Sequence, residues 1–594
     1  MSEGKKVDRR KFLVAGLGAG IVVVGGVAAY LASRPPQVVE KVVEKTVPVE
    51  RTVEKVVERT VQTTIAGTPT VITRQETVRE TVVVTPEEQP GYGGELKVAT
   101  WGAINTADPH NAPSHQDLVI TLAGYDTLFR FDENFNVIPW LAERYEVSSD
   151  GLEYTFYIRK GVYWQVIDRE LTAEDVAYSL NRIQQSAIAK AYFPVWGEAV
   201  AVDRYTVKVR LPKRFVPLIN DLANPGSRGS MIVPKLSEED FKKLGMTSKE
   251  FEEKGGFATI MIGTGPFRLV DFKRGEYERF EKHKKYWRRD EKGRQLPYLD
   301  KLEFIPQPDA SVRAMQLRAG SVDIATIVDP KDVPTLEATK GIKVMGMIGT
   351  YFGQLGMCWQ HPPFNDKRVR QAVAHAINRD EIVRLALSGG GEPAWSPLPS
   401  WNKYHKEFRI YEYNPKRAKE LLEEAGVKEI TGTLYGYSIT PAPETLTVVQ
   451  KQLAAVNINL EINIVDLGTY VAELKNRDPK KHTITIHIWV DKIDPWISLC
   501  QRFYPPTGSA FIEGIMPDVE GTGLARVRDA LAEELDPEKY AKLVEELQRI
   551  WVEEVITVPL WFRANYMAFN EKVRNFSFEP QCVQYSWDVM WKAL

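Results

Sequence analysis

Cysteine and histidine are scarce: three cysteines (Cys358, Cys500 and Cys582) and eight histidines are spread over 594 residues. An odd, scattered trio excludes a disulfide framework and leaves at least one thiol over. Its spacing also excludes zinc-ribbon and iron–sulfur patterns. Neither sign of charge is in excess, since 77 Lys and Arg stand against 79 Asp and Glu, a formal net charge of −2. That balance excludes nucleic-acid binding through a broad basic surface, and 43% hydrophobic residues exclude a disordered acidic chain. No Gly-x-Ser-x-Gly, His-Glu-x-x-His or Gly-Lys-Ser/Thr loop occurs, and Ser388-Gly389-Gly390-Gly391 lacks the lysine of a phosphate cradle. Asp132-x-Asn134-x-Asn136 with Glu143 copies part of a calcium loop, but Val137 stands where the turn needs glycine and Pro139 disrupts the remainder. The expectation is a non-enzyme without cofactor or metal.

Length supports two to four domains with proper cores. The first 11 residues carry Lys5, Lys6, Arg9, Arg10 and Lys11, and Phe12–Ser33 is a run of 22 residues without a charge. As a helix it would span about 33 Å, enough for a hydrocarbon core of about 30 Å, with the basic end inside. Arg9-Arg10-Lys11-Phe12-Leu13 reads as a twin-arginine export signal or as an ordinary basic n-region. Residues 1–34 are thus expected to be a signal and retained membrane anchor, leaving the rest outside the cytoplasm.

Residues 35–93 form a Val/Thr/Glu-rich stalk. Positions 35–90 hold 15 Val, 11 Thr and 9 Glu, with no Leu and no aromatic. Val39, Val42, Thr46, Val49, Val53, Val56 and Thr60 repeat at alternating 3–4 spacing, as in a thin coiled-coil seam. Pro48 and the β-branched residues speak instead for an extended spacer.

Of the 61 aromatic residues, 59 lie in residues 91–594, including all 14 Trp. Strand patterns alternate with amphipathic helices along this region. Glu95–Thr100, Tyr154–Arg159 and Thr206–Leu211 read as strands. Helices are expected from Thr172 through Arg182 with Asp175 completing the cap, over Asp366–Arg379, from Asn414-Pro415 to Gly426, and over 524–555 with Leu531, Leu535, Leu543, Leu547 and Ile550 inside. The fold class is mixed α/β.

A series of segments then occurs in order: Asp108-Pro109-His110, Val137–Glu143, Leu171–Val176, Gly263–Phe267, Lys285-Tyr286-Trp287, Leu317–Asp323, Pro363–Ala372 running on to Arg379, Tyr413–Gly426, Trp489–Pro495 and Val558–Leu560. Together they resemble the family 5 extracellular solute-binding proteins, the peptide receptors of ABC importers, over roughly residues 94–580. The resemblance implies a two-lobed periplasmic-binding-protein fold of type II, of the large cluster with an extra subdomain. Lobe one would comprise 94–305, with an inserted subdomain near 125–200, and the return segment 556–594. Lobe two would span 306–555, with crossings near Phe304–Gln307 and Thr557–Trp561. Trp164–Asp168 departs from the family's F-x-D-G turn. The implied partners are an oligopeptide or oligosaccharide ligand and the transmembrane subunits of a permease, whose ATPase subunits are separate chains. A monomer is expected at the outer face of the cytoplasmic membrane.

In peptide-binding members an aspartate three residues before an acidic-Pro pair holds the ligand's ammonium. Asp494-Pro495 is that pair here, which puts Asp491 at the matching position; alternatively, Asp491 caps a turn. The strand before it, Thr483–Val490, contributes His487 and Trp489 as candidates, and its edge suits pairing with an extended peptide. Trp489 either stacks on a ligand, which would favour a sugar, or packs in the core. Trp101, Tyr125, Trp395 and Trp401 are candidates for the cleft wall.

Overall fold

The computed structural model describes residues 38–44, 53–65, 68–80, 89–359, 361–475, 478, 481–490, 493–500, 522–581 and 585–593. The chain divides into two units, residues 1–89 and 90–594. In the first, strands β1 (Val38–Glu44), β2 (Val53–Ile65) and β3 (Thr68–Glu80) pair antiparallel in sequence order. These stretches are therefore extended rather than a helical seam, as β-branched Val and Thr favour. The uncharged run 12–33 and the twin arginines lie outside the described residues, among which no helix is long and apolar enough to cross a membrane.

The second unit opens with β4 (Glu95–Thr100), followed by the hairpin β5 (Phe129–Phe131) and β6 (Val137–Pro139). A separate four-stranded sheet comprises β7 (Ala142–Val147), β8 (Glu153–Ile158), β9 (Ala199–Asp203) and β10 (Thr206–Arg210), in the order β7-β8-β10-β9. Helix Ala173–Arg182 packs on it. The Asp175 carboxylate closes that helix's first turn on Thr172 N–H at 3.0 Å and takes both terminal nitrogens of Arg169 at 2.8 Å.

The main sheet has eleven strands. Besides β4 these are β11 (Phe267–Lys273), β12 (Tyr277–Lys282), β13 (Lys301–Pro306), β14 (Ile324–Ala325), β15 (Ile342–Met357), β16 (Gly391–Pro393), β17 (Ile430–Tyr437), β18 (Ile458–Val465), β19 (Ile484–Val490) and β20 (Val558–Asn570). Their order is β11-β12-β13-β4-β14-β20-β15-β19-β17-β18, with β16 beside β20. One parallel group, β13, β4 and β14, lies on one side; another, β19, β17 and β18, lies on the other. The long strands β15 and β20 bridge the two groups, β20 pairing with β14, β15 with β19, and the two with each other. Helix Ala310–Arg318 packs on β4, β14 and β20.

Two glycines of β15 explain how such long strands pack. A Cβ on Gly353 would lie 2.2 Å from the Trp561 ring, and one on Gly356 would lie 2.7 Å from His487 Nε2. Glycine at these positions lets neighbouring strands lay large side chains across the ladder. One core cluster joins Leu96, Val98, Phe304, Phe352, Trp489, Trp551 and Phe562; the second gathers Val369, Val373, Leu434, Ile486 and Trp561.

Two expected helices are shorter. The 366–379 segment stops at Ala376, Ile377 turns extended, and Asn378 caps a second helix, Arg379–Ala386, by accepting from Glu381 N–H at 3.0 Å. The 524–555 segment splits into Leu524–Glu533 and Pro537–Glu553. Pro537 has no N–H for an interior turn but suits a first one. Leu535 falls in that break and is 47% exposed, contrary to the expected buried stripe. The 415–424 helix follows expectation, with the Asn414 side chain accepting from Arg417 N–H and Gly426 at φ +73°.

Candidate ligand-binding site

In open α/β sheets, ligands bind at the carboxyl ends of parallel strands. Here the register brings two such edges towards each other. Ala99 of β4 pairs with Ala325, Ala325 with Ala568, and Ala568 with Val344, so β4 ends level with the first residues of β15, near Val344 and Met345. From the other side, β19 runs antiparallel to β15 and ends where Val490 pairs with Tyr351. The interval between them, residues 345–351, faces β20 near Arg563–Met567. The β15–β20 register shifts there, between Ile348 and Phe352. This interval is the floor of the candidate site.

The floor carries polar groups in otherwise apolar strands. Thr350 is buried, and its hydroxyl has no hydrogen-bond partner. Asn565 is buried and donates to Pro580 O at 3.0 Å. The half-buried Arg563 guanidinium lies 4.1 Å from the centre of the Tyr351 ring. None of these was singled out from sequence, although an arginine inside the apolar run VPLWFRANYMAF was a signal.

The expected site residues distribute unevenly. Asp491, with Lys492, lies outside the described residues. Trp101 follows the end of β4 and is partly buried. Trp401 donates its indole N–H to Gly349 O at 3.5 Å and meets Phe135 at 4.8 Å between ring centres. Trp401 thus adjoins the floor. Trp489 is 4% exposed and packs edge-on against Phe352 and Trp551, at 6.3 and 5.9 Å. The ring nitrogens of His487 lie 3.0 Å from Tyr470 Oη and 2.7 Å from Thr485 Oγ1, fully inside the fold. Trp395 sits between the Arg379 and Arg409 guanidinium groups, at 4.4 and 5.0 Å. Tyr125 is fully buried, and burial pushes its hydroxyl well above its ordinary range.

Asp494 is the best-held carboxylate near the end of β19. It accepts from Trp496 N–H at 2.8 Å, Ile497 N–H at 3.1 Å and the Asn220 side-chain amide at 2.5 Å, with Tyr540 Oη at 3.4 Å. Burial nonetheless raises its pKa, the hydrogen bonds pulling the other way. Phe215 stands edge-on to Trp496 at 4.9 Å, and Asn402 donates to Ile493 O at 2.9 Å. The segment after β19 is thus tied to residues 215–220 and to 402.

The calcium-like loop is closed on itself: Asp132 Oδ1 accepts from Asn134 and Asn136 N–H, both at 2.8 Å. Among the described residues no group of three or more His, Cys, Asp or Glu could hold a metal ion. A crevice of about 650 Å³ beside Thr431–Thr433 and Asn459–Glu461 lies at the amino ends of β17 and β18, away from the floor.

Residues 136–510, more than half of the chain, match the family model for bacterial extracellular solute-binding proteins, family 5, middle region. The chain belongs to this family. Among family 5 relatives, the glutathione-binding protein GsiB of Escherichia coli (strain K12) is 27% identical over 503 residues, covering 82% of this chain and 92% of GsiB. The periplasmic binding protein DppA of Helicobacter pylori, solved with the peptide STSA, superimposes with a TM-score of 0.68 at 23% identity, over 85% of this chain and 99% of DppA. The oligopeptide-binding protein AppA of Bacillus subtilis, solved with a nonapeptide, gives a TM-score of 0.67 at 24% identity, over 85% and 100%. The two likenesses show the fold, which is that of periplasmic peptide-binding proteins. As a family 5 protein the chain is an extracellular solute-binding protein, and the relatives named above are binding proteins by name.

Proposed function

We propose that this receptor captures oligopeptides in a cleft between two lobes and delivers them to an importer permease with separate ATPase subunits. The observation that carries the reading is the convergence of the β4 and β19 carboxyl edges on β15 and β20. In this reading lobe one holds β4, β11–β14 and the inserted four-stranded sheet, and lobe two holds β17–β19 and the helices around them. The register shift after Ile348, rather than residue 305, is taken as the boundary in this reading. Residues 12–33 anchor a monomer at the outer face of the membrane.

Asp491 binds the ligand's ammonium, because a carboxylate enclosed between lobes needs a cation. The β17 ladder reaches β19 only at Ile484 and Thr485, which supports main-chain pairing of an extended ligand near Ile488. Peptide chemistry is favoured over sugar because Trp489, the platform a sugar would need, is covered by Phe352 and Trp551.

The test is native mass spectrometry of the purified full chain, followed by titration with the peptides it retains. Asp491→Ala should weaken their binding about tenfold or more, the worth of one charge-assisted hydrogen bond. Unchanged affinity would remove Asp491 from the site, and hexose-spaced masses would overturn the peptide reading.

A further inference from the structure

Several guanidinium groups drawn inside this protein are well supplied with acceptors. Arg169 holds Asp175 and Asp240, Arg182 holds Asp108, and Arg313 reaches the carbonyls of Gln307, Pro308, Thr326 and Ile327. Arg563 departs from this pattern. Among the described residues its guanidinium makes one hydrogen bond, to Asn565 Oδ1 at a long 3.4 Å, and no ion pair with a carboxylate. Five N–H donors in a planar fork, withdrawn from bulk water, leave strong hydrogen-bonding capacity unused.

Its position makes the vacancy informative. Arg563 lies on β20 opposite the stretch where the β15 register shifts, close to the level of the β19 end and on the side that faces the level of the β4 end. Tyr351, on whose ring it stacks, pairs with Val490, the last residue of β19. Tyr437, at the carboxyl end of β17, is close enough for the charges of Tyr351 and Arg563 to bear on its hydroxyl. Stacking on Tyr351 fixes the plane of the fork without using its N–H groups. A preset, partly desolvated fork of this kind matches a planar anion with two oxygens.

We infer that Arg563 is the carboxylate receptor of the site, binding a ligand's carboxylate through its guanidinium while Tyr351 holds it in place. The inference rests on the peptide reading and narrows it: the preferred ligand is a zwitterion with a free carboxyl group, not merely a chain with an ammonium.

The experiment uses a random library of tripeptides to pentapeptides, prepared once with free C-terminal carboxylates and once as C-terminal amides. The full chain in detergent is incubated with each, and retained masses are read by native mass spectrometry. Affinities of the retained peptides are then measured by calorimetry. The wild-type protein should bind the acid form about tenfold or more tightly than the matching amide. Arg563→Gln should erase that preference by weakening the acid form alone, and Arg563→Lys, which keeps the charge but not the fork, should restore part of it. Equal binding of acid and amide by the wild type overturns the inference and leaves the peptide reading standing. So does a preference that survives in Arg563→Gln. Retention of neither library by the wild type overturns both.

Discussion

Glu278 offers a test that reaches the site through its supports. It lies on β12, fully buried, with Oε1 accepting the Ile104 N–H at 3.0 Å and Oε2 without a partner. Burial, with a smaller push from the charge of Asp117, moves its pKa from 4.5 to about 7, against the pull of the Ile104 bond. Because the folded value is the higher one, Glu278 contributes its full share to stability below pH 4.5. That share is lost as pH rises through 7. A displacement of this size corresponds to about 3 kcal/mol once ionisation is complete. For a cooperative unit of roughly 500 residues the unfolding entropy is about 1 kcal/mol per degree, so the loss is about 3 °C in Tm.

Glu278→Gln removes the titration but leaves an amide N–H unpaired, which costs about 1–2 kcal/mol at every pH. The variant should therefore melt up to about 1 °C below the wild type at pH 5 and about 1–2 °C above it at pH 8. Calorimetric melting of both proteins at matched pH values checks this, and taking their difference cancels every other titrating group. A difference that stays constant from pH 5 to pH 8 would refute the reasoning, since it would mean Glu278 ionises inside the fold without cost. The result bears on the site because Ile104 belongs to the loop that carries Trp101 off the end of β4. The same loop is held at its next residue by Asn105 N–H donating to Asp117 at 2.5 Å.

Two further substitutions separate packing from binding. Trp489→Ala should destabilise the protein by about 3–5 kcal/mol in urea unfolding, as expected for a buried tryptophan packed on Phe352 and Trp551; lost binding at unchanged stability would return it to the ligand. Asn220→Ala should cost about 1.5–3 kcal/mol in the same assay, because the buried Asp494 carboxylate loses a charge-assisted donor at 2.5 Å. A loss below about 0.5 kcal/mol would mean water replaces that amide freely.

What the sequence made legible follows what local chemistry controls. The caps at Thr172–Asp175 and Asn414-Pro415, the strand Glu95–Thr100 and the ordered family segments were all readable, because each depends on residues close along the chain. The break at Asp536-Pro537 was equally local and could have been read from the proline. The place of β14 between β4 and β20 could not, since it follows from Ala325 pairing with both Ala99 and Ala568, over more than two hundred residues. Individual side chains were harder still. Trp489 and His487 alternate along β19 as cleft residues would, but two-residue periodicity says only that they share a face of the strand. The structure turns that face onto Phe352, Trp551, Tyr470 and Thr485. Arg563 was overlooked because a lone arginine in an apolar strand has no motif; its meaning comes from the acceptors it lacks.

The register shift between Ile348 and Phe352 gives the position of Arg563 a mechanical consequence. Regular ladders resist bending, whereas an irregular stretch leaves residues without fixed cross-strand partners and concentrates twist there. Closure about a hinge is absorbed by a few such residues. In β15 and β20 that stretch is residues 349–351 opposite Arg563, between the pairs Ile348↔Ala564 and Phe352↔Phe562, and a second shift follows between Gly353 and Gln354. Under the proposed reading, a carboxylate held at Arg563 touches the segment whose bend sets the angle between the lobes, rather than a wall of either lobe. The ligand would then shift the open–closed equilibrium only as far as it binds the closed geometry more tightly. Replacing Arg563 should for that reason reduce ligand-induced closure as well as affinity, whereas a wall residue such as Trp401 should change affinity and leave the closed state of the complex intact.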